Sequence, residues 1–159
     1  MIIENMPENE YHAHDSISKT GLWTLYKKTP YHFYYGEKKE TNAMRFGSAA
    51  HTAVLEPIKF ETRYVRGADN RRGNQWKDIC AEAEAQGKTA LTYEEYDDAL
   101  RLCDVVQKHA LIQKITAGQT LVEHSAFWED DGVNVRCRPD LVSPSLKIMA
   151  DLKSTTDAS

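Results

Sequence analysis

The chain has 159 residues, of which 41% are hydrophobic and 28% charged, and its formal net charge is −4. That size and balance suit one globular domain with a real core, and no apolar run approaches the roughly 18 residues of a membrane span. Three scattered cysteines, Cys80, Cys103 and Cys137, exclude a disulfide framework, a zinc ribbon and a four-cysteine iron–sulfur cluster.

Residues 1–15 are polar and are expected to form an arm or loop. Met1-Ile2-Ile3-Glu4-Asn5 lacks the basic and apolar regions of a signal peptide, so a reducing cytoplasm is the expected compartment. Ser16 and Ser18 are candidate N-caps for a helix from Lys19 to Lys28, with Leu22, Trp23, Leu25 and Tyr26 as its apolar side. Thr29-Pro30 ends it, and Pro30 opens a short helix over Tyr31–Tyr35 closed by Gly36. Glu37-Lys38-Lys39-Glu40 reads as a solvated turn.

A helix rich in small residues follows from Ala43 and stops at Pro57. Gly47, His51 and Leu55 fall four apart on one stripe, and the glycine leaves room one turn before the imidazole. Taken alone, His51 reads either as a core histidine satisfied by one hydrogen bond or as a nitrogen donor to a metal. From Lys59 to Lys77, Arg63, Arg66, Arg71, Arg72 and Lys77 cluster with Gly67, Gly73 and Asn74 around Trp76. This predicts a mobile basic loop, with Arg66, Arg71, Arg72 and Lys77 as candidate DNA contacts; an ordinary solvated loop reads equally well. Trp76–Gln86 reads as an Ala-rich helix, and Thr92-Tyr93-Glu94-Glu95 matches a capping box that starts a helix to about Ile115. His109 and His124 are expected to be exposed.

Two strands, 120–129 and 133–142, flank Asp130-Asp131-Gly132, a hairpin signal, and a third strand is expected over 146–154. If Asp131-Gly132 form the loop, Glu123 lies across from Asp140; a loop of Asp130-Asp131 would instead put Glu123 opposite Arg138, an ordinary salt bridge. Opposed carboxylates with Cβ atoms about 5 Å apart repel each other, and a divalent cation between them reverses the sign. On the third strand Asp151 and Lys153 would share a face, about 7 Å apart. Glu123, Asp140 and Asp151 then offer an oxygen-only donor set that favours Mg²⁺ or Mn²⁺ over zinc. Lys153 is suited to orient an attacking water or stabilise developing negative charge, and His51 to add a ligand to a second metal.

Asp140…Asp151-Leu152-Lys153, with Pro139 leading, resembles the PD-(D/E)XK nuclease signature. Gly47…His51…Leu55-Glu56-Pro57, Ser16-Ile17-Ser18-Lys19 through Thr29-Pro30-Tyr31, Glu123…Phe127-Trp128…Val135-Arg136-Cys137-Arg138-Pro139-Asp140, and Ala150 through Thr155 resemble segments of the RecE-type exodeoxyribonuclease VIII family, in family order. The resemblance implies an α+β fold with a mixed central sheet begun by an antiparallel hairpin, flanked by helices, behind an N-terminal helical region. It implies a metal-dependent exonuclease that degrades one strand of linear duplex DNA, 5′ to 3′, in the cytoplasm of a bacterial host. A ring-shaped homo-oligomer and a phage single-strand annealing protein are the implied partners, with no membrane. His51, Glu123, Asp140, Asp151 and Lys153 take the family's metal-binding and catalytic roles. A single domain is expected, with helices and His51 over 1–57, the basic loop and helices over 58–118, and catalytic strands over 119–159. The family continues with a further helix and strand, so the core sheet is expected to be cut short at Ser159. A truncated, inactive relative that holds DNA ends or a recombination partner is the alternative function.

Overall fold

A computed structural model describes residues 1–4, 6–36 and 41–154; the run Glu37-Lys38-Lys39-Glu40 and Thr155 lie outside the described residues. The fold is α+β, with both parallel and antiparallel strand pairs. The chain divides into two compact units, Met1–Lys39 with Ile115–Asp151, and Glu40–Lys114 with Leu152–Ser159.

The first unit begins with structure where an arm or loop is expected: β1 (Ile2–Ile3), α1 (Glu8–Ala13) and β2 (Ile17–Ser18). Ser18 then caps α2 (Lys19–Lys27), its hydroxyl accepting from the Gly21 N–H, and Thr29 caps α3 (Pro30–Tyr35). Gly21 permits a close approach here. A Cβ on it would sit 2.8 Å from the Phe33 ring and 2.9 Å from Ile17. The Phe33 ring of α3 closes over that glycine while staying 36% exposed, and most of the expected apolar side of α2 (Leu22, Trp23, Tyr26) is exposed.

The second unit runs through α4 (Asn42–Leu55), α5 (Pro57–Arg63), β3 (Tyr64–Arg66), α6 (Gly73–Ala85), β4 (Thr89–Leu91), α7 (Tyr93–Gln107) and most of α8 (Ala110–Thr116). Pro57 both ends α4 and opens α5, as a proline in a first turn does. The core joins Ala49, Ala53, Phe60, Leu91 and Ala99, where small side chains on α4 and α7 let the two helices approach. The capping box at Thr92 and Glu95 forms as expected. The long helix expected to reach Ile115 is divided at Lys108-His109, because the His109 ring nitrogen accepts the Leu111 N–H and caps a new helix. The basic loop expected over Lys59–Lys77 is largely helix and strand; only residues 67–72 are irregular.

The chain then completes the first unit with β5 (Leu121–Val122), β6 (Ser125–Asp130), β7 (Val133–Cys137), β8 (Leu141–Ser143) and β9 (Ile148–Ala150). One sheet has the order β1-β6-β7-β2, with β2 parallel to β7; a second has the order β5-β8-β9 and is antiparallel throughout. Asp131 and Gly132 both take positive φ, 49° and 79°, which makes the β6–β7 connection a two-residue turn whose twist suits a hairpin. The register expected from that turn holds: Ala126 pairs with Cys137 and Asp130 with Val133.

Two arginines on β7 and just beyond it fasten the N-terminal segment to the hairpin. Arg136 donates to the His14 carbonyl at 2.5 Å, and Arg138 donates to the Ser125 hydroxyl and, at 3.0 Å, to the Met6 carbonyl. Both guanidinium groups lie over the Tyr11 ring, at 5.0 and 4.2 Å. Burial pushes the Tyr11 phenol above its usual range against the opposing pull of the two cations. No described helix is long and apolar enough to cross a membrane.

Candidate active site

The hairpin register sets His124 opposite Pro139. Proline has no N–H to donate, so the ladder cannot pass through that position. The strand expected over residues 120–129 is accordingly divided into β5 and β6, and the pairing changes from one sheet to the other. On the far side of the break, Glu123 donates its backbone N–H to the Asp140 carbonyl at 3.1 Å, and regular pairing resumes with Val122 opposite Leu141. Glu123 has φ 49°, a left-handed conformation rare for a residue with a Cβ, and of the kind that concentrates at functional sites.

The other edge of β8 behaves the same way. Leu141 pairs with Ala150, so the next position in register sets Asp151 opposite Asp140. One step further, Leu152 would face Pro139, and β9 stops at Ala150. Here the structure corrects the expected strand over 146–154: Asp151 and Lys153 lie outside β9 rather than on one face of it. What the register does bring together is the backbone of Glu123, Asp140 and Asp151, in one row across the end of the β5-β8-β9 sheet. Neighbouring positions in such a row are about 5 Å apart.

Asp140 is buried at 8% exposure, Glu123 is half-buried, and Asp151 is exposed. The alternative register, with Glu123 opposite Arg138, is not the one adopted. Arg138 instead serves Ser125, its true opposite, and Met6. His124, expected to be exposed, has a side chain only 12% exposed; its Nδ1 lies 3.0 Å from the Val122 carbonyl and its Nε2 3.6 Å from the Glu4 carboxylate. It sits at the break between β5 and β6.

In the second unit, His51 is half-buried on α4. One turn earlier, the Ser154 hydroxyl lies 3.9 Å from where a Cβ on Gly47 would stand. The segment that contains exposed Lys153 thus passes α4 at the glycine whose room the sequence suggested. Of the four candidate DNA contacts, two have partners within the unit. Arg66 reaches Asp97 at 2.5 Å and stacks on Tyr93 at 3.7 Å, while Arg71 donates to both oxygens of Glu95 at 2.7 and 2.6 Å. Arg72 and Lys77 are exposed. The acids that pair with Arg66 and Arg71 lie on α7, too far along the chain for sequence spacing to reveal them.

Burial alone would raise the Glu95 carboxyl, but hydrogen bonds from Arg71 and from the Thr92 backbone outweigh it and hold the group below the usual glutamate range. Burial raises the Cys103 and Cys137 thiols, and with Cys80 they are free.

The donor chemistry of the row, carboxylate oxygen throughout, fits a hard divalent cation. Among the described residues, however, no group of three or more His, Cys, Asp or Glu side chains is gathered so as to hold a metal ion. The left-handed backbone of Glu123 takes it off the regular alternation of β5, so register alone does not align its carboxylate with the other two.

Residues 28–159 match the family model of a PDDEXK-like domain of unknown function (DUF3799). No curated protein matches the chain.

Proposed function

The chain belongs to the PDDEXK-like domain family, and from that premise we propose that it is a metal-dependent exodeoxyribonuclease of the RecE type. It degrades one strand of linear duplex DNA from the end, 5′ to 3′. The observation that carries this reading is the row of Glu123, Asp140 and Asp151 across the sheet end, bounded by Pro139. Acids in neighbouring register positions bring like charges together, which a divalent cation would offset.

Glu123, Asp140 and Asp151 would hold Mg²⁺ or Mn²⁺, with His51 as a nitrogen donor to a second ion. A bound divalent ion there would supply polarisation of the scissile phosphate and a more acidic water. Lys153, two residues past Asp151 and exposed, offers an ammonium to the charge that develops on the phosphate oxygens. Exposed Arg72 and Lys77 suit contacts to the DNA backbone. A ring-shaped homo-oligomer and a single-strand annealing protein of phage type complete the proposal.

One observation favours a second reading, a nuclease-fold protein that holds DNA ends without cutting: no metal-holding cluster is gathered among the described residues. The two readings separate in a cleavage assay on linear duplex with Mg²⁺. Nucleotide release from 5′ ends, none from closed circles, and a loss of roughly 10²-fold or more in Asp151→Ala and Lys153→Ala support the exonuclease. A chain that binds linear duplex yet releases no nucleotides supports the end-holder.

A further inference from the structure

The face that α2 and α3 turn to solvent carries more aromatic surface than the packing of its unit uses. Trp23, Tyr26, Tyr31, Tyr34 and Tyr35 are each at least 58% exposed. The two helices meet where the Phe33 ring, itself 36% exposed, closes on Gly21. The outward rings gather in two groups, Trp23 with Tyr26 at 5.7 Å, and Tyr31, Tyr34 and Tyr35 at 5.0 to 6.4 Å. Exposed aromatic clusters of this kind mark a binding surface.

Its charge narrows the occupant. From Ser16 to Gly36 there is no Asp or Glu, while Lys19, Lys27 and Lys28 are present, in a chain whose net charge is −4. The Lys27 ammonium lies 5.0 Å from the Trp23 ring and 5.1 Å from the Tyr26 ring, so cation and rings form one surface. A second copy of the same face would bring lysines against lysines with no carboxylate to answer them, since a two-fold contact meets its own surface. Helices of nine and six residues, on which Leu22 is the one exposed large aliphatic side chain and most of the exposed rings carry hydroxyls, give little apolar area to bury in a membrane. A strand of nucleic acid supplies what the face lacks: phosphates for the lysines and flat π-faces for the rings. Only unpaired bases present those faces.

We propose that the α2–α3 face binds single-stranded nucleic acid, stacking bases on Trp23, Tyr26 and the Tyr31–Tyr34–Tyr35 group and meeting phosphates with Lys27 and Lys28. This deepens the nuclease reading, on which only the use made of the bound strand rests.

The test is fluorescence anisotropy of a labelled 20-nucleotide oligothymidylate with the full chain in EDTA, where no cleavage competes. Salt-sensitive binding with quenching of tryptophan emission is expected. Trp23→Ala with Tyr35→Ala weakens it at least roughly 10-fold, while Tyr35→Phe retains it. Lys27→Gln with Lys28→Gln makes the salt dependence shallower by about 1.4 in log–log slope. Thermal melting of each variant verifies folding, since all these side chains are exposed. Affinity within twofold of the parent in the Trp23→Ala, Tyr35→Ala variant overturns the proposal. So does loss in that variant of a self-association that the parent shows in sedimentation, with strand affinity unchanged, which would assign the face to a second copy. Asp151→Ala is expected to keep strand binding while abolishing cleavage, so the two readings fail separately.

Discussion

Pro139 is the residue on which the candidate site turns. In the hairpin register it lies opposite His124, to which it cannot donate, and on the other side β9 ends at Ala150, before reaching it. The sheet therefore ends at Asp140, and Glu123 and Asp151 end beside it. Glu123 has a left-handed backbone, which tolerates glycine and resists a β-branched side chain. Glu123→Val is thus expected to cost about 1–2 kcal/mol in chemical denaturation, and Glu123→Gly little or nothing, while both lose cleavage. A larger stability loss for the glycine variant would show that the carboxylate, rather than the backbone, holds this position. Lys153 is exposed, so Lys153→Ala should leave stability within about 0.5 kcal/mol while lowering the cleavage rate.

At the scale of elements, two small devices set the geometry. The β6–β7 turn needs positive φ at Gly132, so Gly132→Val should destabilise by roughly 1 kcal/mol or more and blur the register that sets Glu123 opposite Asp140. In the second unit, Glu95 completes the cap of α7 and accepts both hydrogen bonds from Arg71. Its folded-state carboxyl is lowered, so its contribution is present above the unfolded value near pH 4.5 and is lost as pH falls through the lower folded value. Thermal melting from pH 7 down to pH 3 should show that loss, and Glu95→Gln should flatten it while costing about 1–3 kcal/mol at pH 7. An unchanged pH profile in Glu95→Gln would remove Glu95 from this role.

For the molecule as a whole, the α+β class and most helices were legible because caps, prolines and the Asp131-Gly132 turn act locally. The opposition of Glu123 and Asp140 was legible for the same reason, since one turn fixes a whole register. What escaped depends on residues brought together only by folding. Pro139 interrupts the β6–β7 ladder only once its partner, His124, is known. Arg66 and Arg71 look free until α7 returns Asp97 and Glu95 to them. Phe33 closes on α2 where Gly21 leaves a gap on that different helix, and the rings of Trp23 and Tyr26 stay outside. The regular structure of residues 1–15, expected to be an arm or loop, was missed because two arginines, 120 residues away and more, hold that segment.

The central claim is that the acids at this sheet end hold a divalent cation for phosphodiester hydrolysis. Anomalous diffraction from crystals soaked in Mn²⁺ tests it most directly, because it locates the ion independently of any activity. Manganese is expected between Asp140 and Asp151 with Glu123 at hand. Manganese bound only elsewhere on the chain would contradict it.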